Sequence, residues 1–258
     1  MILHLLNSSM ASAASAPVSI WEVILQKQKQ TADEWWLVAQ SDHAELAGDM
    51  ASRISLPGFP ALDEHVLRAI SLHDYGWTAI DDLDSPATDG KGSPLSFFDA
   101  PPADILRAWQ GSIARAGQGA PIGGILVSEH FCRIARDSVH ASRTSPAVAQ
   151  VLTTFLEREL DRQEELRTAQ HRSQEEIQLL VDALQFCDLL SLYVCCGAGE
   201  DVQFPQKFGD QTIRLWRKGE CCHLEPPLFG TGASLAVEAR RFPPGKRPVA
   251  AEIPILLA

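Results

Sequence analysis

The chain has 258 residues, of which 45% are hydrophobic and 21% charged, a composition typical of a packed globular protein. Lys and Arg number 22 against 33 Asp and Glu, so the formal net charge is −11. This charge repels phosphate backbones and anionic lipid headgroups, so neither a nucleic-acid nor a membrane partner is expected. We expect a small-molecule substrate, even an anionic one, because a bound metal can reverse the local charge.

The first nineteen residues are small and polar after a short apolar start. No Lys or Arg occurs before Lys27, and a secretory signal would need a cationic start. We therefore expect a disordered leader at 1–19. Residues 20–258 are expected to form a single domain that ends in a β segment at about 210–257. No run of eighteen apolar residues is uninterrupted, so no membrane span is predicted.

The cysteines include two adjacent pairs, Cys195–Cys196 and Cys221–Cys222. Structural zinc sites usually separate paired ligands by two to four residues, and these pairs have no spacer. A thiolate metal site that includes His223 is the alternative. Free thiols in a reducing cytoplasm are the favoured interpretation, because a chain this long does not need a disulfide framework.

Two short aromatic runs open the predicted fold. Trp21–Gln26 and Trp35–Gln40 are rich in aromatic and β-branched residues and predict a β-hairpin with a long turn. Directly afterwards, Asp42 and Glu45 match a capping box, which predicts a helix running to about Arg53.

A second helix is predicted to open at Asp63 and to end at Gly76, where glycine is a natural stop. The chain from 81 to 102 is loop-like in composition. Two further helices are predicted around a Gly/Pro break, at Ala103–Ala116 and Gly124–Val139.

The C-terminal half begins with a predicted helical hairpin or single long helix over Val151–Leu180, whose charged middle is expected to face solvent. A strongly apolar helix follows at Asp182–Cys196. The runs TIRLW, ECCHLEP and SLAVEARRF alternate like strands. The predicted fold class is mainly α, with a small, mainly antiparallel β-sheet formed by the N- and C-terminal segments.

Asp188 is the most informative single residue. It is the only formally charged side chain between Asp182 and Glu200, and on a helix its neighbours are mostly apolar. Burying an unpaired carboxylate costs several kcal/mol, so Asp188 must be protonated, paired with a cation or bound to a metal. A buried Arg partner, or a cap on another helix, is the structural alternative.

Histidines at two earlier points of the chain could join Asp188. His73-Asp74 lies at a predicted helix end, where two adjacent side chains can converge, although a His near a helix C-terminus is also favourable without a ligand. His43 lies in the first turn of a predicted helix, where a hydrogen-bonded structural role is the alternative. Two imidazoles and two carboxylates suit Mn²⁺, Fe²⁺, Ni²⁺, Co²⁺ or Zn²⁺ and do not suit Ca²⁺.

The order His, then His-Asp, then a distant Asp on a late helix resembles the HD superfamily of metal-dependent phosphohydrolases. The segments WWLVAQSDHAELAGDMA, LHDYGW, SEHF and LQFCDLLSLYVC are more specifically similar to DUF3891, a family placed in that helical fold. The resemblance spans roughly Trp21 to the C-terminus. It implies an HD-like helical core and a divalent transition metal with ligands at His43, His73, Asp74 and Asp188. The two additional histidines of binuclear members are hard to place, although His130 could be one of them, so one metal per chain is favoured.

The sequence departs from the catalytic HD pattern after the dyad. Many members continue HD-x-G-K, whereas this chain reads HDYGW, so Trp77 stands where that lysine would help to hold phosphate. We expect Tyr75 and Trp77 to line or roof the substrate pocket. The alternative is a core tryptophan that closes the helix end.

The resemblance favours a metal-dependent phosphohydrolase acting on a small phosphorylated or nucleotide-like substrate. Asp74 would bridge metal and water, and His130 or Glu129 would act as acid or base. A non-catalytic metal- or ligand-binding module is the main alternative. A di-iron oxygenase is less favoured because it needs more histidines than can be placed. The substrate, the metal and the oligomeric state are not determined by the sequence.

Overall fold

The computed structural model describes residues 1–5, 18–30, 32–141, 144–230, 233–243 and 250–257. Within these ranges it contains seven α-helices and eight β-strands. The helices are α1 (Ile20–Gln28), α2 (Gln40–Ala51), α3 (Glu64–Ser71), α4 (Pro102–Gly117), α5 (Pro121–His140), α6 (Pro146–Arg167) and α7 (Gln174–Cys195). The strands are β1 (Ile2–Leu5), β2 (Val18–Ser19), β3 (Trp35–Val38), β4 (Val202–Phe208), β5 (Gln211–Lys218), β6 (Cys221–Glu225), β7 (Ala233–Phe242) and β8 (Ala250–Leu257).

The predicted mainly α fold with a small sheet is wrong, because all eight described strands join one mixed sheet. Its order is β1-β3-β7-β8-β6-β5-β4-β2. The β2–β4 and β6–β8 pairs are parallel, and the other neighbours are antiparallel. The fold is therefore α/β, with helices packed against a sheet drawn from both ends of the chain.

Two of the strands that enlarge the sheet contain proline, which disguised them in the sequence. Pro205 of β4 lies between Gln203 and Lys207, where the register with β5 shifts. Pro254 of β8 lies outside the two residue pairs that join β8 to β6. Proline has no backbone N–H to donate, so it is tolerated where the ladder is irregular, as at Pro205, or where one neighbouring strand is not paired, as at Pro254.

The first strand of the predicted hairpin is also wrong, because Ile20–Gln28 is helix α1. Its buried positions are Ile20, Val23, Ile24 and Gln28, which lie on one face of a helix. Packing of that face against the core outweighs the strand preference of the β-branched residues. The second predicted strand is present as β3.

Part of the predicted disordered leader is ordered. Strand β1 pairs with β3 and buries Ile2 and Leu3, and the buried side-chain amide of Gln28 bonds both backbone groups of Leu3 at 2.8 Å. Strand β2 pairs with β4. Residues 6–17 of the predicted leader lie outside the described residues.

The start of α3 is fixed by a local side-chain cap, whereas the start of α2 is fixed by a residue distant in the sequence. Asp63 caps α3 as predicted, accepting hydrogen bonds from the backbone N–H groups of His65 and Val66 at 3.0 Å. The capping box predicted for α2 does not form. That helix begins at Gln40, whose backbone N–H donates to the Asp81 carboxylate at 2.8 Å.

Helix α7 forms the centre of the hydrophobic core. It packs against α1, α2, α3 and α5 and against strands β1 and β4. Among the described helices, it alone is long and apolar enough to cross a membrane, but 78% of its apolar window is buried inside the fold. Such burial is typical of a core helix.

Candidate metal centre

Four of the predicted ligands meet where α2, α7 and the turn after α3 come together. His43 lies in α2 and Asp188 in the middle of α7, while His73 and Asp74 follow the end of α3. His43, His73 and Asp188 are buried and offer ligand atoms within 4.8 Å of one another. Asp74 joins them through an oxygen 3.0 Å from Nε2 of His43.

Close contacts between backbones bring these elements together. A Cβ atom on Gly48 of α2 would lie 1.8 Å from Oγ of Ser71, at the end of α3. A Cβ atom on Gly76 would lie 1.9 Å from the carbonyl oxygen of Ala108 in α4. Glycine is therefore required at both positions, and the His73-Asp74 turn is held between two helices.

Both ligand histidines have one nitrogen fixed by a neighbouring acceptor. Nδ1 of His73 donates to the carbonyl oxygen of Ile70 at 2.7 Å. The Ser191 hydroxyl donates to the Asp188 backbone carbonyl at 2.8 Å, so its oxygen accepts from Nδ1 of His43 at 3.0 Å. The hydrogen of each neutral imidazole is thus on Nδ1, and each Nε2 lone pair is free to bind a cation.

These two lone pairs face carboxylates. Nε2 of His43 lies 3.0 Å from Oδ2 of Asp74, and Nε2 of His73 lies 3.3 Å from Oδ1 of Asp188 and 4.0 Å from Oδ2 of Asp74. Ligand bonds of ~2.0–2.2 Å place neighbouring ligand atoms about 3–3.5 Å apart around one ion. Two of these three separations fall in that range, so the group could hold a metal ion between the imidazoles and the carboxylates.

The electrostatics of the centre favour a positive charge beside the carboxylates of Asp74 and Asp188. Burial lowers the pKa of His73, but its hydrogen bond with Asp188 and the charges of Asp74 and Asp188 raise that pKa to about 9. Burial raises the pKa of Asp188, but the hydrogen bond and charge of His73 lower it to about 2. In the metal-free protein a proton on His73 therefore supplies the positive charge.

His130 of α5 stands beside the centre. Its Nε2 lies 3.9 Å from Oδ2 of Asp188, and its Nδ1 has no hydrogen-bond partner among the described residues. Burial lowers the pKa of His130 to about 4, so its imidazole is neutral. A buried, unpartnered nitrogen at this point is available to a bound molecule.

The structure does not bring Glu129 into the centre, although the sequence suggested it as an acid or base. Its carboxylate accepts from Arg136 at 2.9 Å and lies 3.8 Å from Nε of Arg133. His130, the next residue along α5, points the other way, toward Asp188. Glu129 is therefore held in ion pairs on another face of the helix.

A cavity of about 300 Å³ opens onto the centre at Asp74, His130 and Asp188. Trp77 is 3% exposed and lines this cavity. Tyr75 is not among the lining residues: it is 39% exposed, with the Arg115 guanidinium 5.0 Å from its ring centre. His43 and His73 close the back of the centre and are fully buried.

A second, more polar groove of about 590 Å³ reaches the same carboxylate from the other side of His130. Arg133 and Arg136 line it. Sequence reasoning missed both arginines and also Ser191. The available signal was spacing, because Arg133 lies three residues after His130, and Ser191 three residues after Asp188, on their helices.

A sequence model of the family described as "Protein of unknown function (DUF3891)" matches residues 27–243. This range includes all four candidate ligands. No curated protein and no solved structure matches the chain.

Proposed function

The chain belongs to the DUF3891 family. From the geometry of the site, we propose that the protein is a metal-dependent hydrolase acting on a small phosphorylated substrate. The observation that carries the proposal is the pairing of two imidazole lone pairs with two carboxylates at the inner end of a cavity. That donor set holds a transition metal. A location in the cytoplasm and the expectation of a small-molecule partner belong to the same proposal.

Membership of the HD superfamily is the more specific part of this proposal. The order His43, His73-Asp74 and Asp188 supports it, as does the placement of these residues on α2, in the turn after α3 and on α7. The resemblance to the HD superfamily does not account for the large mixed sheet.

The residues of the centre have two roles, metal binding and proton transfer. A bound divalent ion supplies Lewis acidity, which activates water and polarises a phosphoryl oxygen. His43, His73, Asp74 and Asp188 hold the ion, with the two imidazoles oriented by their Nδ1 hydrogen bonds. Nδ1 of His130 can hold or accept a proton from a molecule in the cavity. The apolar walls exclude bulk water and strengthen these interactions.

Support for a phosphate group comes from the groove rather than from the cavity. Arg133 and Arg136 lie beside Asp188 and His130 there. Arg133 already donates to Asp182, Gln185 and Gln178 at 2.5–2.8 Å, so Arg136, whose side chain is 39% exposed, is the guanidinium more open to a phosphate. Guanidinium groups bind phosphate oxygens through paired hydrogen bonds.

The test measures metal content and turnover on one set of proteins. Wild type loaded with Mn²⁺ or Zn²⁺ should hold one ion per chain and hydrolyse p-nitrophenyl phosphate or its bis ester. Asp74→Asn and Asp188→Asn should lose both properties. Glu159→Gln, a buried carboxylate elsewhere, should keep both. Hydrolysis by the chelated protein, or a full metal complement in Asp188→Asn, would overturn the proposal.

A non-catalytic metal- or ligand-binding module is the second candidate. Trp77 favours it, because an aromatic ring occupies the position that the resemblance assigns to a phosphate-binding lysine. Stoichiometric metal binding without turnover of either ester would select this candidate.

A further inference from the structure

The cavity that ends at the metal centre is apolar along most of its wall. Its titratable groups are confined to the inner end, at Asp74, His130 and Asp188. Among the described residues, no Lys or Arg lines it. Trp77, Trp109 and other aromatic or aliphatic side chains form the remainder, with a few neutral polar groups.

Aromatic contacts make part of this wall rigid. The Trp109 ring stacks on Phe131 with centroids 4.9 Å apart and an interplanar angle of 16°. Phe97 and Phe98 pack with centroids 4.1 Å apart, and Trp21 meets Phe98 edge-on at 5.5 Å. Such contacts fix the rings in place, so the cavity is preformed.

The mouth of the cavity leaves apolar side chains in water. Trp21 is 38% exposed and Val151 45% exposed, and both line the cavity. Partly buried Ile105 and Leu106 line it further along. Apolar surface left open around a recess, with a few polar groups at one end, is typical of a small-molecule site.

We propose that this cavity binds an uncharged aromatic or compact alkyl group of the substrate, joined directly to the group that reacts at the metal centre. Only the identity of the reacting group rests on the proposed function; binding of the apolar group does not. An anionic group placed in the cavity would meet two carboxylates and no protein cation. The volume lies at the lower end of ligand pockets, which limits the group to about one ring or a short branched chain.

The polar groove gives this substrate an orientation. It meets the cavity at His130, Ile134 and Asp188, and unlike the cavity it has cations on its wall, Arg133 and Arg136, beside Asp137. The apolar group therefore lies in the cavity and the phosphate points into the groove. The substrate class is a phosphoester of an apolar alcohol.

The test compares two probes that share a methyl-substituted ring, p-cresol and p-toluate, by calorimetry and by tryptophan fluorescence on the full chain. Uncharged p-cresol should bind with or without Zn²⁺. Anionic p-toluate should bind the metal-free protein roughly tenfold more weakly or worse, because its carboxylate faces Asp74 and Asp188. Zn²⁺ should strengthen p-toluate binding and leave p-cresol binding nearly unchanged.

Matched variants on one helix locate the probe. Val151 and Leu160 are both exposed residues of α6, and Leu160 does not line the cavity. Val151→Lys should weaken p-cresol binding severalfold, and Leu160→Lys should not. Ile105→Lys, which places charge deeper in the cavity, should weaken it further at an unchanged metal stoichiometry.

The outcomes separate this inference from the proposed function. Absence of p-cresol binding, or equal binding by the Val151 and Leu160 variants, overturns the apolar site even if Zn²⁺ binds. If p-cresol binds as expected but Zn²⁺ neither binds nor strengthens p-toluate, the apolar site stands and the proposed function fails.

Discussion

Two buried polar clusters lie between helices of this protein, and they differ in their supply of hydrogen-bond donors. Between α5 and α6, the Ser128 hydroxyl donates to the Glu159 carboxylate at 2.7 Å, and the Gln163 amide donates to Ser128 at 2.9 Å. Arg162 lies 3.5 Å from the same carboxylate. One Glu159 carboxylate oxygen and the Ser128 hydroxyl each accept from a donor, and the negative charge has a positive partner.

The cluster of His43, His73, Asp74 and Asp188 is the opposite case. In its neutral form each imidazole donates its Nδ1 hydrogen to an acceptor outside the cluster. Its Nε2 lone pair therefore faces a carboxylate inside the cluster. Two carboxylates share this space with no Lys or Arg among the described contacts. The comparison shows that burial and polarity alone do not mark a candidate functional site; buried carboxylates without a Lys or Arg partner do.

The largest expected difference between the clusters is their response to metal. Zn²⁺ at 100 times its Kd should stabilise wild type by ~2.7 kcal/mol, because the ion binds only the folded state. For a chain of this size that raises Tm by roughly 5–10 °C. Asp188→Asn should lack the increment, and chelator should lower the wild-type Tm but not that of the variant.

Glu159→Gln is the control for that experiment. It removes a buried charge from the satisfied cluster and should cost ~1–3 kcal/mol of stability at any metal concentration. Its metal-induced rise in Tm should equal that of wild type. A rise in Tm retained by Asp188→Asn would show that Asp188 is structural.

A second pair of variants compares the two buried serines. Ser191→Ala removes the acceptor that orients His43, and loss of such support lowers metal affinity about 10–100-fold, or ~1.4–2.7 kcal/mol. Ser128→Ala should cost ~1 kcal/mol of stability and leave metal affinity unchanged. Calorimetric titration with Zn²⁺ measures both, and equal affinities in the two variants would remove Ser191 from the site.

A smaller effect is expected at the start of α3. Asp63→Ala removes the helix cap and should cost ~1 kcal/mol of unfolding free energy. Since α3 leads into the His73-Asp74 turn, denaturant unfolding and metal titration together show whether the turn depends on this cap. We expect stability to fall and affinity to stay, because Gly48 and Gly76 hold the turn independently.

The smallest effect is expected at Tyr75, a neighbour of the centre in sequence only. Tyr75→Ser should cost ~0.5–1 kcal/mol through loss of the contact with Arg115. Affinities for Zn²⁺ and p-cresol should not change. A drop in p-cresol affinity would place the ring at the cavity after all.

Local patterns predicted much of the helical part of this protein. Asp63 was identified as a cap because its side chain needs only the next few residues, and the apolar run around Asp188 predicted a buried helix. The periodicity of α1 was misread because its β-branched residues suit both a helix and a strand. Strand β4 lies outside the predicted strands, and β8 falls within the predicted β segment at about 210–257 but outside its three named runs. Both contain proline, which argues against a strand until its partners are known.

The sequence by itself determined the order and chemistry of the candidate ligands, His43, His73, Asp74 and Asp188. Asp188 in its apolar surroundings already had to be protonated, paired with a cation or bound to a metal. Only the tertiary structure decided which nitrogen of each histidine faces inward, because that depends on Ser191 and on the Ile70 carbonyl.

The cavity, too, was decided only by the tertiary structure. Its walls come from α1, α4, α5, α6 and α7, from the first residue of α2, and from the segments that follow α3 and precede α4. An apolar residue on a helix is equally suited to the core and to a ligand site, so sequence patterns cannot separate the two. What separates them is whether another side chain fills the space opposite, and that depends on contacts between residues far apart in the chain.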